Sequence, residues 1–180
     1  MKVLPRTEFG NPILRKKTKN VPLSTIRTPG FQALVKEMVY TMRRTHGVGI
    51  AAPQVGKPLR VAIMEIRPTK NRPKLARKGP LVIINPKILE RSAATVNDWE
   101  GCLSFRGPFG TVPLAKSITA GYVNERGEKK VEKMSGLWAR IFQHELDHLD
   151  GIVYIDRMTD MKTLMTQGEL RKRLKNKKKS

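Results

Sequence analysis

Apolar residues recur at three- and four-residue steps from Phe31 through Leu34, Val35, Met38 and Val39 to Met42, the pattern of a helix with one buried face. Thr28-Pro29 supplies its start, a hydroxyl cap followed by proline in the first turn. His46-Gly47 supplies its end, with His46 reading as a polar residue near a helix C-terminus. Elsewhere the period shortens. Leu59 to Ile66, Leu81 to Ile84 and Lys116 to Asn124 are rich in branched apolar residues and read as strands, the last closed by the turn signal Glu125-Arg126-Gly127-Glu128. Between the first two, Arg67 to Pro80 is basic, proline-containing and poor in apolar residues, which predicts a surface loop. Helical spacing returns with Leu137, Ile141, His144 and His148, so two histidines continue an inward-facing apolar stripe. Beyond Gly151, Ile152-Val153-Tyr154-Ile155 predicts a short strand, and Asp160 onward a second helix interrupted near Gly168. Strands followed by a long helix indicate a single α+β domain without internal repeats.

Histidines that face a core need partners, and the local sequence names one. Gln143-His144-Glu145-Leu146-Asp147-His148 carries the H-E-x-x-H pattern of metal hydrolases. Residues four apart share a helix face, so both imidazoles reach one ion while Glu145 sits beside the position left for water. The bland alternative is an exposed face on which such a short pattern recurs by chance, and the apolar stripe that leads into it argues the other way.

Length, charge and cysteine count narrow the setting. The 180 residues suffice for one domain with a substantial core. The single cysteine, Cys102, forms no intrachain bridge and fits a reducing compartment in which a thiolate is free to bind metal. No apolar run approaches the roughly 20 residues that span a bilayer, and the N-terminus lacks the apolar core of a secretory signal, so a soluble protein without a membrane role is expected. The formal net charge of +21 favours a polyanionic neighbour such as RNA, though attraction to phosphate carries no base specificity. Arg171 to Ser180 is almost entirely basic and reads as a solvated, frayed tail, or as a contact to ribosomal RNA.

Taken in order, Gly47-Val48-Gly49-Ile50-Ala51-Ala52-Pro53-Gln54, Glu100-Gly101-Cys102-Leu103-Ser104 and Gln143 to Gly151 resemble the three signature motifs of the peptide deformylases. Phe9 to Arg15 resembles the opening segment of that family, and Trp138 to Gln143 its approach to the metal helix, so the resemblance covers nearly the whole chain except the tail. It implies mainly antiparallel sheets wrapped around a central metal-binding helix, with a catalytic domain over residues 1–168 and a flexible basic tail over 169–180. The implied reaction is removal of the formyl group from the formyl-methionine of newly synthesised polypeptides. Its implied setting is a monomer in a bacterial-type cytoplasm, an organelle or a virus-infected cell, with the tail as the ribosome contact.

The same resemblance makes Cys102, His144 and His148 the ligands of one divalent ion, natively Fe2+, with Zn2+, Ni2+ or Co2+ able to replace it. Three protein ligands leave one position open, as a catalytic site requires. Glu145 is then the general base and acid, while the Gln54 side-chain amide and the Leu103 backbone N–H stabilise the developing oxyanion. Val48 and Gly49 are the positions that would pair with the substrate backbone as an added strand.

Two departures from the family pattern stand out. Phe105-Arg106 replaces an aliphatic residue and proline, and Leu114 replaces an arginine after Val112-Pro113. The second leaves Glu100 without its customary partner, with Arg106 and Arg140 as candidates to replace it. Two rival functions make different demands. A zincin-type metallopeptidase would draw a third ligand from Asp156, Asp160 or Glu169 downstream. A basic RNA-binding protein with a structural metal would need a closed site of four ligands, where the motifs provide three.

Overall fold

The computed structural model describes residues 1–68 and 76–176. Part of the basic loop, residues 69–75, and the final four residues lie outside the described residues. The elements run α1 (Leu23–Ile26), α2 (Pro29–Arg44), β1 (Gly49–Ala51), β2 (Val61–Ile66), β3 (Lys78–Arg91), β4 (Thr95–Gly101), β5 (Pro108–Ala115), β6 (Ser117–Val123) and β7 (Lys129–Ser135), then α3 (Gly136–Leu149), β8 (Met165–Thr166) and α4 (Gln167–Asn176). One antiparallel sheet has the order β1-β2-β3-β6-β7, and a second the order β4-β5-β8.

The expected α+β architecture is present, and β2 shows why it holds together. All six of its residues are buried, because the strand is covered on both faces. Alternation sends Val61 and Ile63 into a core with Val35, Met38 and Met42 of α2, and sends Ala62 and Met64 into a second core with Trp138, Phe142 and Leu146 of α3. Helix α3 therefore lies against the large sheet through β1, β2 and β7, and against the small sheet through β5. That placement carries its polar face to the junction of the two sheets. Helix α2 starts as the sequence predicts, with the Thr28 hydroxyl accepting from Phe31 N at 3.4 Å.

Several boundaries differ from the sequence reading. Lys78, Gly79 and Pro80 belong to β3 rather than to the loop, and β4, β5 and β7 stand where no strand was expected. Ile152 to Ile155 is not a strand: Tyr154–Arg157 is a 3-10 turn, closed by Val153 N donating to Asp156 Oδ2 at 2.9 Å. A local side-chain bond thus outcompetes sheet pairing there. Gly168 does not interrupt a helix but lies inside α4, and residues 171–176 of the basic tail are helical rather than frayed. Leu170 is buried, and the Arg173 guanidinium lies 5.8 Å from the centre of the Trp99 ring on β4, which anchors the helix. Among the described residues no helix is long and apolar enough to cross a membrane.

Candidate metal centre

Strand β4 ends at Gly101, held opposite Phe109 of β5, so the chain turns there and presents Cys102 toward the inward face of α3. One turn apart on that helix are His144 and His148. The ligand atoms of these three residues lie within 4.8 Å of one another, and this is the single such group of metal-binding side chains among the described residues. Cys102 Sγ is 3.1 Å from His148 Nε2. His144 Nδ1 contacts Glu100 Oε2 at 2.8 Å, which leaves its Nε2 for the thiolate side. The rival ligands lie elsewhere: Asp156 is paired with Arg15, Asp160 caps Lys162 N, and Glu169 pairs with Lys172.

The question raised by Leu114 is answered on α3 itself. Arg140, one turn before His144, donates from Nη1 to Glu100 Oε1 at 2.7 Å and to the Val112 carbonyl at 3.1 Å. Arg106 instead pairs with Glu8 at the surface. Leu114 packs with Cys102, Val112 and Tyr154 in a small apolar cluster. Glu100 is consequently gripped on both oxygens by two residues of one helix, and its carboxyl is held below the usual range: burial pushes it up, but His144 and Arg140 prevail.

Electrostatics favour a thiolate beside imidazoles. Burial alone would raise Cys102, yet His148 and His144 hold it well below an ordinary thiol. His144 goes the other way: burial lowers it, while its bonds to Cys102 and Glu100 raise it well above an ordinary imidazole. Glu145 is pushed up to about 7 by burial, and among the described residues its Oε2 has no hydrogen-bond partner, nor has His148 Nδ1. One soft anionic sulfur, two imidazoles and an unpartnered carboxylate oxygen in one buried place are donors suited to a divalent ion with a proton carrier alongside.

Facing this centre is the segment Gly47-Val48-Gly49 that leads into β1. The family resemblance makes Gly49 a position that would pair with the substrate backbone, and the structure gives a nearer reason for a glycine there. A Cβ there would stand 2.0 Å from Glu145 Oε1, and one on Gly47 would stand 2.8 Å from Leu103 Cδ1. Side chains at either position would displace the carboxylate or its neighbour. Gln54 follows in a short 3-10 turn, where its Oε1 accepts from Ala51 N at 2.8 Å. The amide nitrogen is thereby aimed at Cys102 Sγ, 3.3 Å away, and at Ser104 Oγ, 3.4 Å away. Val48, Gly49, Gln54, Cys102, Leu103, His144 and Glu145 all line one cavity of about 540 Å³, with His148 buried behind it. Sequence reasoning did not find Trp99, Phe109 or Gln167 in its wall, which come from β4, β5 and the start of α4. No local pattern marks them, since strand pairing across the chain brings them together.

Known proteins similar to this chain are numerous. The sequence profile described as polypeptide deformylase matches residues 3–164. Peptide deformylase 2 of a Nostoc species is 38% identical over 167 residues, covering 93% of this chain and 92% of that protein. Among solved structures, the Met-Ala-Ser-bound class I type b peptide deformylase of Acinetobacter baumannii superposes with a TM-score of 0.84 at 36% identity, over 87% of this chain and 99% of the other. Peptide deformylase of Thermotoga maritima gives a TM-score of 0.79 at 38% identity, over 89% of this chain and 100% of the other.

Proposed function

The chain belongs to the peptide deformylase family, and we propose how its own residues perform the family's reaction, the hydrolytic removal of the formyl group from newly synthesised polypeptides. The protein is an enzyme, and the open assignments are the roles within its site, its metal and its partners.

The ligands are Cys102, His144 and His148. An ion bound there supplies a Lewis acid that polarises the formyl carbonyl and acidifies water. Glu145, with an unpartnered oxygen in the same buried space, takes a proton from the attacking water as its oxygen bonds to the formyl carbon. The developing negative charge on the carbonyl oxygen is met by the Gln54 amide and the Leu103 backbone N–H. Glu145 then returns the proton to the amine as the carbon–nitrogen bond breaks, giving formate and a free N-terminus. Arg140 and Glu100 keep the His144 ring in the orientation that offers Nε2. Val48 and Gly49 pair with the peptide backbone, a reading supported by the place of Gly49 beside Glu145 at the start of the edge strand β1, with Val48 just before it.

The substrate is a formyl-methionyl nascent chain, consistent with the Met-Ala-Ser peptide bound to the Acinetobacter relative. Ferrous iron is the native ion in this reading. A thiolate and two imidazoles suit Fe2+ as well as Zn2+, Ni2+ and Co2+. The enzyme acts as a cytoplasmic monomer, residues 1–168 forming the catalytic domain and the basic segment 169–180 reaching ribosomal RNA through its positive charge. The observation that carries the reading is the unpartnered Glu145 oxygen beside the Cys-His-His donor set. Anaerobic purification, metal analysis and an assay on formyl-Met-Ala-Ser test it together. One ferrous ion per chain with formate release, lost on exposure to air, is the expected result. A metal-loaded protein that releases no formate would overturn it.

A further inference from the structure

Three charged side chains outside the metal centre converge behind the Gly47–Gly49 segment. Glu65, from β2, has no exposed side-chain surface (0%), which is unusual for a carboxylate unless it is fully paired. Arg43, in the last turn of α2, donates to it twice, Nε to Oε2 at 2.9 Å and Nη2 to Oε1 at 2.8 Å. Arg67, just past the end of β2, adds Nε at 3.3 Å from Oε2. The other side of the Arg67 fork reaches further: Nη2 donates to the Gly47 carbonyl at 2.7 Å. The next carbonyl, that of Val48, accepts from Glu65 N at 2.8 Å. Gly47 N in turn donates to Met42 O at 2.9 Å, which ties the segment to the end of α2.

The segment is thus clamped from two sides. Inward, there is no space for even a Cβ against Glu145 and Leu103. Outward, Arg67 and Glu65 hold successive carbonyls. A planar guanidinium has donors enough to satisfy a carboxylate and a carbonyl at once in a fixed geometry, which an ammonium lacks. A displacement of a few tenths of an ångström in either direction would change the gap in which a peptide backbone must fit.

We propose that Arg67 is a positioning residue for substrate: anchored on the buried Glu65 carboxylate, it sets the place of Gly47–Gly49 and hence the fit of the peptide backbone against that segment. The proposal rests on the reading that Val48 and Gly49 pair with the substrate.

The test uses metal-loaded, full-length Arg67→Lys and Arg67→Ala, with formyl-Met-Ala-Ser and two analogues methylated in turn at the Ala and Ser peptide nitrogens. Lysine keeps a cation for Glu65 but cannot hold both acceptors, so Arg67→Lys separates positioning from simple charge pairing and covers the case in which the alanine variant does not fold. In the unmodified protein, methylation at one nitrogen should raise KM, because a backbone donor is lost. Both variants should raise KM for formyl-Met-Ala-Ser about 10-fold with kcat little changed. Metal content per chain should stay the same, and the methylation penalty should shrink. An unaltered KM with the full methylation penalty in the variants would overturn the proposal alone. So would equal loss of kcat and of metal, which would mean general damage to the centre. No methylation penalty in the unmodified protein would overturn the backbone-pairing reading, and the proposal with it.

Discussion

Glu65 and Glu145 stand on opposite sides of the Gly47–Gly49 segment, both deep in the protein, yet their surroundings differ in kind. Arg43 and Arg67 satisfy both oxygens of Glu65, and the bond to Arg43, above all, holds its carboxyl below the ordinary range. Glu145 has one oxygen without a partner among the described residues, and burial pushes it up to about 7. Glu100 resembles Glu65, since Arg140 and His144 take its two oxygens. A carboxylate with both oxygens engaged fixes geometry, and one left with an idle oxygen can carry a proton.

The contrast is most sharply tested at Glu145. Glu145→Ala should keep its metal and lose formyl-peptide hydrolysis by about 10²–10⁴-fold, since general acid–base catalysis contributes on that order. Metal analysis and kcat on the same preparation check this, and near-normal turnover would remove the distinction between the two glutamates. At Glu100 the prediction concerns the ion. Arg140→Leu should weaken metal affinity by about 10–100-fold, as loss of a ligand's supporting partner does elsewhere, with faster transfer of metal to a chelator. Unchanged transfer rates would place Glu100 with neither of the others.

At Glu65 the expected effect is on stability against acid. Its folded pKa lies below the unfolded value of about 4.3, so its stabilisation is complete above that pH and disappears as pH falls through the folded value. The gap in melting temperature between the unmodified protein and Glu65→Gln should therefore be widest near neutrality and close below about pH 4.3. A gap that stays constant down to pH 3 would show that the charge of Glu65 is not what matters. The smallest effect belongs to the basic C-terminal segment. Deleting residues 171–180 should alter turnover of formyl-Met-Ala-Ser by less than about two-fold, while flattening the salt dependence of ribosome binding between about 50 and 200 mM. A large loss of turnover would show that Arg173, over Trp99, supports the cavity wall.

Much of this was legible in the chain before its folding was considered. Helix α2 could be read from its period and its Thr28-Pro29 start, and α3 from the stripe that runs into His144 and His148. The three candidate metal ligands and Glu145 sit in short motifs, so their convergence followed from local spacing and family resemblance. Strand β7 was not legible because Lys129–Ser135 is an exposed edge that buries only Met134, leaving no alternation to detect. Ile152 to Ile155 misled for the opposite reason: its apolar residues suggest a strand, but the Asp156 side chain closes a turn over Tyr154–Arg157. The Arg43–Glu65–Arg67 cluster has no sequence signature. Its members come from a helix end and a strand, and only the packing of α2 against β2 reveals that the acid between them is buried.

The brevity of β1 has a consequence for traffic through the enzyme. In the proposed backbone pairing, its three residues would give an incoming chain only a few places to pair, each backbone hydrogen bond adding about 0.5–1.5 kcal/mol net. Grip of that size is nearly blind to sequence and easily released. An enzyme so built would accept many different growing chains and let each one go quickly, leaving discrimination to the small group at the chain's tip.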